Sequence, residues 1–121
     1  MKIPENVILH TYKESKRVFE SNLSFKEAAE NIHKNCNVKI TSALDYPYYF
    51  KFLMTSSGSC RILSRYTQEF YLKSIYEDYG KEQLKKSLVA FMKLIVKFED
   101  GKEGSKKSMR AIYEKYNQDK K

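Results

Sequence analysis

The sequence is poor in residues that interrupt regular structure and in residues that build reactive sites. Its 121 residues include only four glycines, two prolines, two cysteines and no tryptophan. Hydrophobic residues make up 41% of the chain and aromatic residues 14%. This composition excludes disorder over most of the length, and a chain of this size can bury roughly two-thirds of its unfolded surface. We therefore predict a compact and mainly helical fold.

Cysteine is too scarce to indicate a disulfide framework or a zinc site. Cys36 and Cys60 are expected to be reduced and buried, as thiols usually are in a cytosolic chain. His33 lies three residues before Cys36, and His10 with Cys60 could complete four zinc ligands, but no C-x-x-C pair is present. We predict no metal and no cofactor.

Long hydrophobic runs and catalytic motifs are also missing. No apolar run approaches the roughly 20 residues that a membrane span needs, and the N-terminus has no signal-peptide core. We predict a cytoplasmic protein with no membrane partner. The chain contains no glycine-rich phosphate loop, no H-E-x-x-H motif and no nucleophile elbow. We predict that it is not an enzyme.

Acidic residues are outnumbered by basic ones. The 15 Asp and Glu face 23 Lys and Arg, which gives a net charge of +8 and a pI near 9.4. This excess excludes a DNA mimic and favours nucleic acid, anionic lipid or an acidic protein as partner. Residues 1–60 hold eight basic residues against six acidic ones, whereas residues 61–121 hold fifteen against nine. The second half therefore supplies most of the net charge.

Apolar residues recur at helical spacing along most of the chain. The first helix is predicted from about Glu5 to Glu20. Another helix should start at Ser64 or Thr67, turn Tyr66 inward and end at Gly80. The helix after Gly80 has the most regular apolar stripe and is expected to be the stability centre. That stripe consists of Leu84, Leu88, Phe91, Ile95 and Phe98.

These patterns predict an all-α fold: a compact single-domain bundle of about five to six helices spanning residues 1–121. A polar linker is predicted at residues 100–108, before the last helix.

Residues 24–53 outline a helix-turn-helix-like pair. Ser24 and Glu27 match the S-x-x-E capping box that starts a helix, and Ala28 and Ala29 allow close approach of a second helix. In a DNA-binding helix-turn-helix the first helix braces the second, whose N-terminal residues enter the major groove. The simpler alternative is two packed helices in an all-α domain.

The start of the second helix of this pair depends on Pro47. If Thr41 or Ser42 is the N-cap, the proline is interior and should kink the helix, whereas if Asp45 is the N-cap, the proline lies in the first turn. The hydroxyl, tyrosine and lysine side chains in and just before this second helix are expected to contact DNA. The residues assigned to this contact are Lys39, Thr41, Ser42, Tyr46, Tyr48 and Lys51.

A basic surface in the second half is the other candidate binding site. Clustered cations can neutralise backbone phosphates, and affinity then falls steeply with salt. Lys86, Lys93 and Lys97 are spaced to lie near one side of a helix, although an ordinary solvated helix face has the same pattern. The residues assigned to this surface are Arg61, Arg65, Lys86, Lys93, Lys97, Lys106, Lys107 and Arg110.

Three segments of the chain resemble the small helical regions that precede HNH nuclease modules in some bacterial and phage endonucleases. They are SFKEAAENIHKN, SALDYPYYFKFLM and RYTQEFYLKSIYEDYGKEQLKKSLVAFMKLIVKFED. The resemblance implies a DNA-contacting accessory module in restriction or mobile-element biology. No histidine-asparagine-histidine metal core follows these segments, so the resemblance does not support DNA cleavage by this chain.

We therefore predict a small basic protein that binds nucleic acid, with duplex DNA favoured over RNA, through the helix-turn-helix-like pair and the basic surface. The alternative is a protein-interaction module, such as a phage-encoded inhibitor that docks onto a CRISPR or restriction nuclease. Salt-sensitive DNA binding favours the first prediction. One stoichiometric protein partner without affinity for DNA favours the second.

Overall fold

The regular structure of this chain is helical, as the computed structural model shows for residues 5–100 and 107–118, the ranges it describes. Within these ranges there are six helices of eleven or more residues and one helical turn of four residues, without any strand. The predicted all-α fold with five to six helices is confirmed. The elements are α1 Glu5–Phe19, α2 Phe25–Cys36, the turn α3 Ile40–Ala43, α4 Asp45–Thr55, α5 Arg65–Tyr79, α6 Lys81–Phe98 and α7 Lys107–Gln118.

Helix α4 lies at the centre of the fold, where it packs against both α1 and α6. Its residues Tyr49, Phe50 and Leu53 have no exposed surface. The helix is capped by Leu44, so Pro47 falls in the first turn, where its missing N–H has no helical acceptor to lose. The chain therefore needs no kink at this proline.

The predicted helix start at Thr41, Ser42 or Asp45 is wrong in detail. Thr41 and Ser42 belong to the separate turn α3, whose N-cap Lys39 makes no side-chain capping hydrogen bond. Asp45 is the first residue of α4 and not its cap. The predicted second helix of the pair is thus divided into a short turn and the central helix.

Helices α1 and α2 form a packed pair, and the predicted capping box starts α2. The Ser24 hydroxyl accepts a hydrogen bond from the Glu27 amide at 3.1 Å, and the Glu27 carboxylate accepts one from the Ser24 amide at 3.0 Å. These hydrogen bonds lower the pKa of Glu27. Asn37 ends the helix in the left-handed conformation, with φ of 56°, as asparagine tolerates.

Helix α6 buries four residues of the predicted stripe, Leu84, Leu88, Phe91 and Ile95, and the fifth, Phe98, is partly buried against the core. In α5, by contrast, the inward direction predicted for Tyr66 is wrong, because this side chain is 56% exposed. The buried aromatic residue of α5 is Tyr71, whose hydroxyl donates to Thr11 Oγ1 at 2.8 Å. Thr67, Tyr71 and Ile75 set the inward face of this helix.

A buried glutamine fixes the loop between α4 and α5. Gln68 accepts a hydrogen bond from the Tyr49 hydroxyl at 2.8 Å and donates one to the Leu63 carbonyl at 2.9 Å. Cys60, Ile62 and Leu63 of the loop also pack against the core. This anchoring holds Arg61, which lies between two of these residues, at a defined place on the surface.

The predicted linker at residues 100–108 is shorter at its C-terminal end, because Lys107 and Ser108 already belong to α7. Asp100, the first residue of the predicted linker, is exposed, and residues 101–106 lie outside the described residues. Among the described residues, no helix combines the length and the apolar character that crossing a membrane requires.

Candidate nucleic-acid interface

The outward face of α6 carries three lysines that we call the α6 lysine strip: Lys86, Lys93 and Lys97. All three are exposed, and none forms an ion pair with a described residue. Lys85, on the edge of the same face, is instead paired with Glu82 at 3.8 Å. Val89 and Val96 are exposed between the lysines of the strip. The strip therefore presents positive charge that the described part of the chain does not neutralise through ion pairs.

Lys97, at the C-terminal end of the strip, lies near the loop that carries Arg61. Burial raises the pKa of the Cys60 thiol to about 11, while the positive charge of Lys97 acts on the same thiol in the opposite direction. Asp45 lies near the same loop. Its negative charge also raises the pKa of Cys60. Burial raises the pKa of Asp45 itself, and the positive charge of Arg61 opposes that rise. The structure thus brings Arg61 to the same end of the molecule as Lys97.

We expect the Cys60 thiol to react slowly with a soluble disulfide reagent at pH 8, in a Cys36→Ser background. With a pKa of about 11 the thiolate fraction is about 0.1%, against about a quarter for an ordinary thiol. Native protein should therefore react roughly 100-fold more slowly than the same chain unfolded in urea.

The same assay tests the position of Lys97. Lys97→Gln should slow the reaction further, because it removes the charge that favours the thiolate, whereas Lys93→Gln should not. Reaction of the native thiol at the unfolded rate, or equal effects of the two substitutions, would contradict the arrangement.

The helix-turn-helix-like pair exposes only some of its predicted reading residues. Tyr46 is 7% exposed, which conflicts with its predicted contact with DNA in this conformation. Tyr48 stacks on Phe25 with ring centroids 4.4 Å apart and an interplanar angle of 18°. Lys51 is half-buried beside α1. Tyr46 is buried because α4 is the central helix. A central helix exposes too little surface to enter the major groove of DNA.

The remaining predicted residues are placed apart from one another. Lys39, Thr41 and Ser42 are exposed around the turn α3, at the end of α2. Arg65 and Lys107 are exposed at the first positions of α5 and α7. Lys106 lies outside the described residues.

Arg110 is not a free cation. Its guanidinium donates to both carboxylate oxygens of Glu99, at 2.8 and 2.6 Å, and this pairing raises the pKa of Arg110. In a bidentate arginine–carboxylate pair, the carboxylate occupies the N–H donors of the guanidinium that would otherwise bind a phosphate. The prediction that Arg110 contacts nucleic acid therefore conflicts with its observed partner.

Two apolar grooves on the surface were not predicted from the sequence. One, of about 420 Å³, lies between α2, α3 and α4 and is lined by Ile40, Leu44 and Tyr48. The other, of about 190 Å³, lies between α1 and α4 and is lined by Phe19 and other apolar residues. Phe25 lines both. One feature of the sequence could have indicated the larger groove. Tyr48 falls outside the stripe that α4 buries, which consists of Tyr46, Tyr49, Phe50 and Leu53.

Comparison with known proteins does not assign the interface. Searches against protein-family models, curated proteins and solved structures each find no match. The resemblance to regions that precede HNH modules therefore stays a prediction. Within the described ranges no three His, Cys, Asp or Glu residues are placed to hold a metal ion.

Proposed function

We propose that this protein binds duplex DNA through the α6 lysine strip, with Arg61 adding positive charge at one end. The observation that carries the proposal is the exposure of the three strip lysines on one helix face without ion-pair partners among the described residues. The net charge of +8 supports it, because a basic surface attracts the phosphate backbone at long range.

The dimensions of the strip suit a backbone contact. From Lys86 to Lys97 the helix rises roughly 16 Å, at about 1.5 Å per residue. Duplex DNA carries one phosphate charge per about 1.7 Å of its axis, so the strip can face several phosphates at once. Lysine acts as a mobile point charge, and contacts of this kind position a protein on DNA without reading its sequence.

The residues between the lysines favour a duplex over a single strand. Single-stranded nucleic acid is usually held by aromatic rings on which unpaired bases stack. The strip offers only the aliphatic side chains of Val89 and Val96 between its lysines. Tyr48, which was predicted near the DNA, belongs to α4 and is not part of the strip.

Replacing the three strip lysines should weaken binding to a fluorescently labelled DNA duplex. At about 50 mM salt, the triple variant K86Q/K93Q/K97Q is expected to lose at least roughly tenfold in affinity, because its phosphate contacts are gone. The measurement is fluorescence anisotropy with duplexes of several unrelated sequences, which should all be affected alike.

The matched control is K13Q/K34Q/K73Q, which removes the same charge from exposed lysines of α1, α2 and α5 that form no ion pair with a described residue. It should lose about threefold or less, through net charge alone. Equal losses in the two triple variants would show that the chain binds by diffuse charge without a strip. Absence of binding by the unmodified protein at low salt would refute the proposal altogether.

A further inference from the structure

A second surface differs from the α6 lysine strip because it is mainly apolar and contains two grooves. We call it the Phe25 face: Phe19, Phe25, Ile40, Leu44, Pro47 and Tyr48, contributed by α1, α2, α3 and α4. Phe25 lines both apolar grooves, and Tyr48, which stacks on it, lines the larger one. The face therefore consists of two apolar depressions that share the side chain of Phe25.

Large apolar side chains are exposed together on this face. Ile40 is 43% exposed, Tyr48 42% and Phe19 37%. Soluble proteins scatter exposed apolar residues singly, whereas a group of them beside grooves marks an interaction site. Stacking on Phe25 holds Tyr48 in place before any partner arrives, so less side-chain freedom would be lost on binding.

The charges at the two grooves have one sign. Lys26 lines the larger groove and Lys51 the smaller one, and no described carboxylate lines either. Neither lysine forms an ion pair with a described residue. The carboxylate of Glu27, next to Lys26 in the chain, accepts a hydrogen bond from the Ser24 amide. A partner that fills the apolar grooves would thus gain by bringing negative charge to their rims.

We propose that the Phe25 face docks an acidic amphipathic helix of a partner protein. Two apolar side chains about one helical turn apart would enter the two grooves, and flanking Asp or Glu would meet Lys26 and Lys51. A second copy of this chain is a poorer occupant, because each copy carries a net charge of +8. The proposal concerns a protein partner and does not depend on binding of DNA.

A synthetic helix tests the proposed chemistry directly. The probe is a fluorescein-labelled peptide of about 18 residues, with leucines three and four residues apart on one face and glutamates on the other. A comparison peptide has lysine in place of every glutamate. By anisotropy, the full-length protein should bind the acidic peptide at least roughly tenfold more tightly than the basic one, and K26E/K51E should reverse this preference.

Two further variants locate the binding. Ile40→Asp should weaken binding of the acidic peptide by roughly tenfold or more, whereas Val89→Asp, at an exposed valine of α6, should leave it unchanged. The strip variant K86Q/K93Q/K97Q should also bind the peptide normally. Its loss of peptide binding would mean that the acidic peptide merely meets the lysine strip, and would overturn the proposal.

Other outcomes would also overturn the assignment. Equal binding of the acidic and basic peptides would exclude charge complementarity at Lys26 and Lys51. Self-association of the protein that Ile40→Asp abolishes, measured by sedimentation without peptide, would make a second copy the occupant. In a further outcome, a DNA duplex displaces the bound peptide equally from the unmodified protein and from the strip variant. That result would mean that the Phe25 face binds nucleic acid.

Discussion

Replacing Phe91 by alanine is expected to lower the free energy of unfolding by about 3–5 kcal/mol. Phe91 is fully buried on α6, and α6 packs against α4, α5 and α7. Removing its ring loses the transfer free energy of the aromatic surface and leaves a cavity that three neighbouring helices cannot easily close. The loss is therefore a large fraction of the stability that a domain of this size has.

Urea unfolding followed by circular dichroism measures this effect, provided that the slope of the transition is unchanged between variants. The matched control is Val89→Ala, two residues earlier on the same helix and 55% exposed, which should cost about 0.5 kcal/mol or less. Similar losses in the two variants would mean that α6 does not bury Phe91 in the core.

The second large expected effect is at Gln68. Gln68→Ala should destabilise the protein by about 2–4 kcal/mol, because it leaves the buried Tyr49 hydroxyl without its acceptor and the Leu63 carbonyl without a donor. The same substitution at Gln83 is the control. Gln83 is half-buried and makes longer hydrogen bonds, of 3.4 and 3.2 Å, so its loss should be about 1 kcal/mol or less.

A double-mutant cycle separates the hydrogen bond from the packing of Gln68. Tyr49→Phe alone should cost about 1–2 kcal/mol, since it removes the donor and keeps the ring. In the Gln68→Ala background the same change should cost less, because the bond is already broken. Strictly additive losses, or a Gln68→Ala effect no larger than that of Gln83→Ala, would show that Gln68 does not join α4 to the loop.

Gln68 also lies close to the proposed interface through the loop that it holds. The loop that it holds carries Arg61, which lies next to Cys60 and on the same end of the molecule as Lys97. A variant that releases the Leu63 carbonyl should therefore make the position of Arg61 less defined. Stability and the candidate interface are linked at this loop.

The helices of this protein follow closely from its sequence, because helix formation depends on local signals. The capping box at Ser24, the left-handed residue Asn37 and the stripe through Phe91 act within a few residues of the chain. Tyr66 was misplaced in α5 because tyrosine suits both a core and a surface. Tyr71, which the same apolar pattern also places inward, is buried and donates a hydrogen bond to Thr11.

The candidate site was harder to predict, because its properties arise from residues distant in the chain. Tyr46 is buried since α4 is enclosed by α1 and α6, an arrangement that no local pattern indicates. Arg110 is neutralised by Glu99, which lies eleven residues earlier and beyond a polar segment. The strip lysines could be predicted from their spacing, whereas their lack of ion-pair partners required the structure.

The most direct measurement of the central claim is the salt dependence of duplex binding by the unmodified protein and by K86Q/K93Q/K97Q. The plot of log affinity against log salt concentration has a slope of about −0.9 for each phosphate contacted. Removing three contacts should make the slope shallower by about three units, and the control K13Q/K34Q/K73Q should keep the slope of the unmodified protein. An unchanged slope in K86Q/K93Q/K97Q would contradict the claim that the α6 lysine strip binds the phosphate backbone.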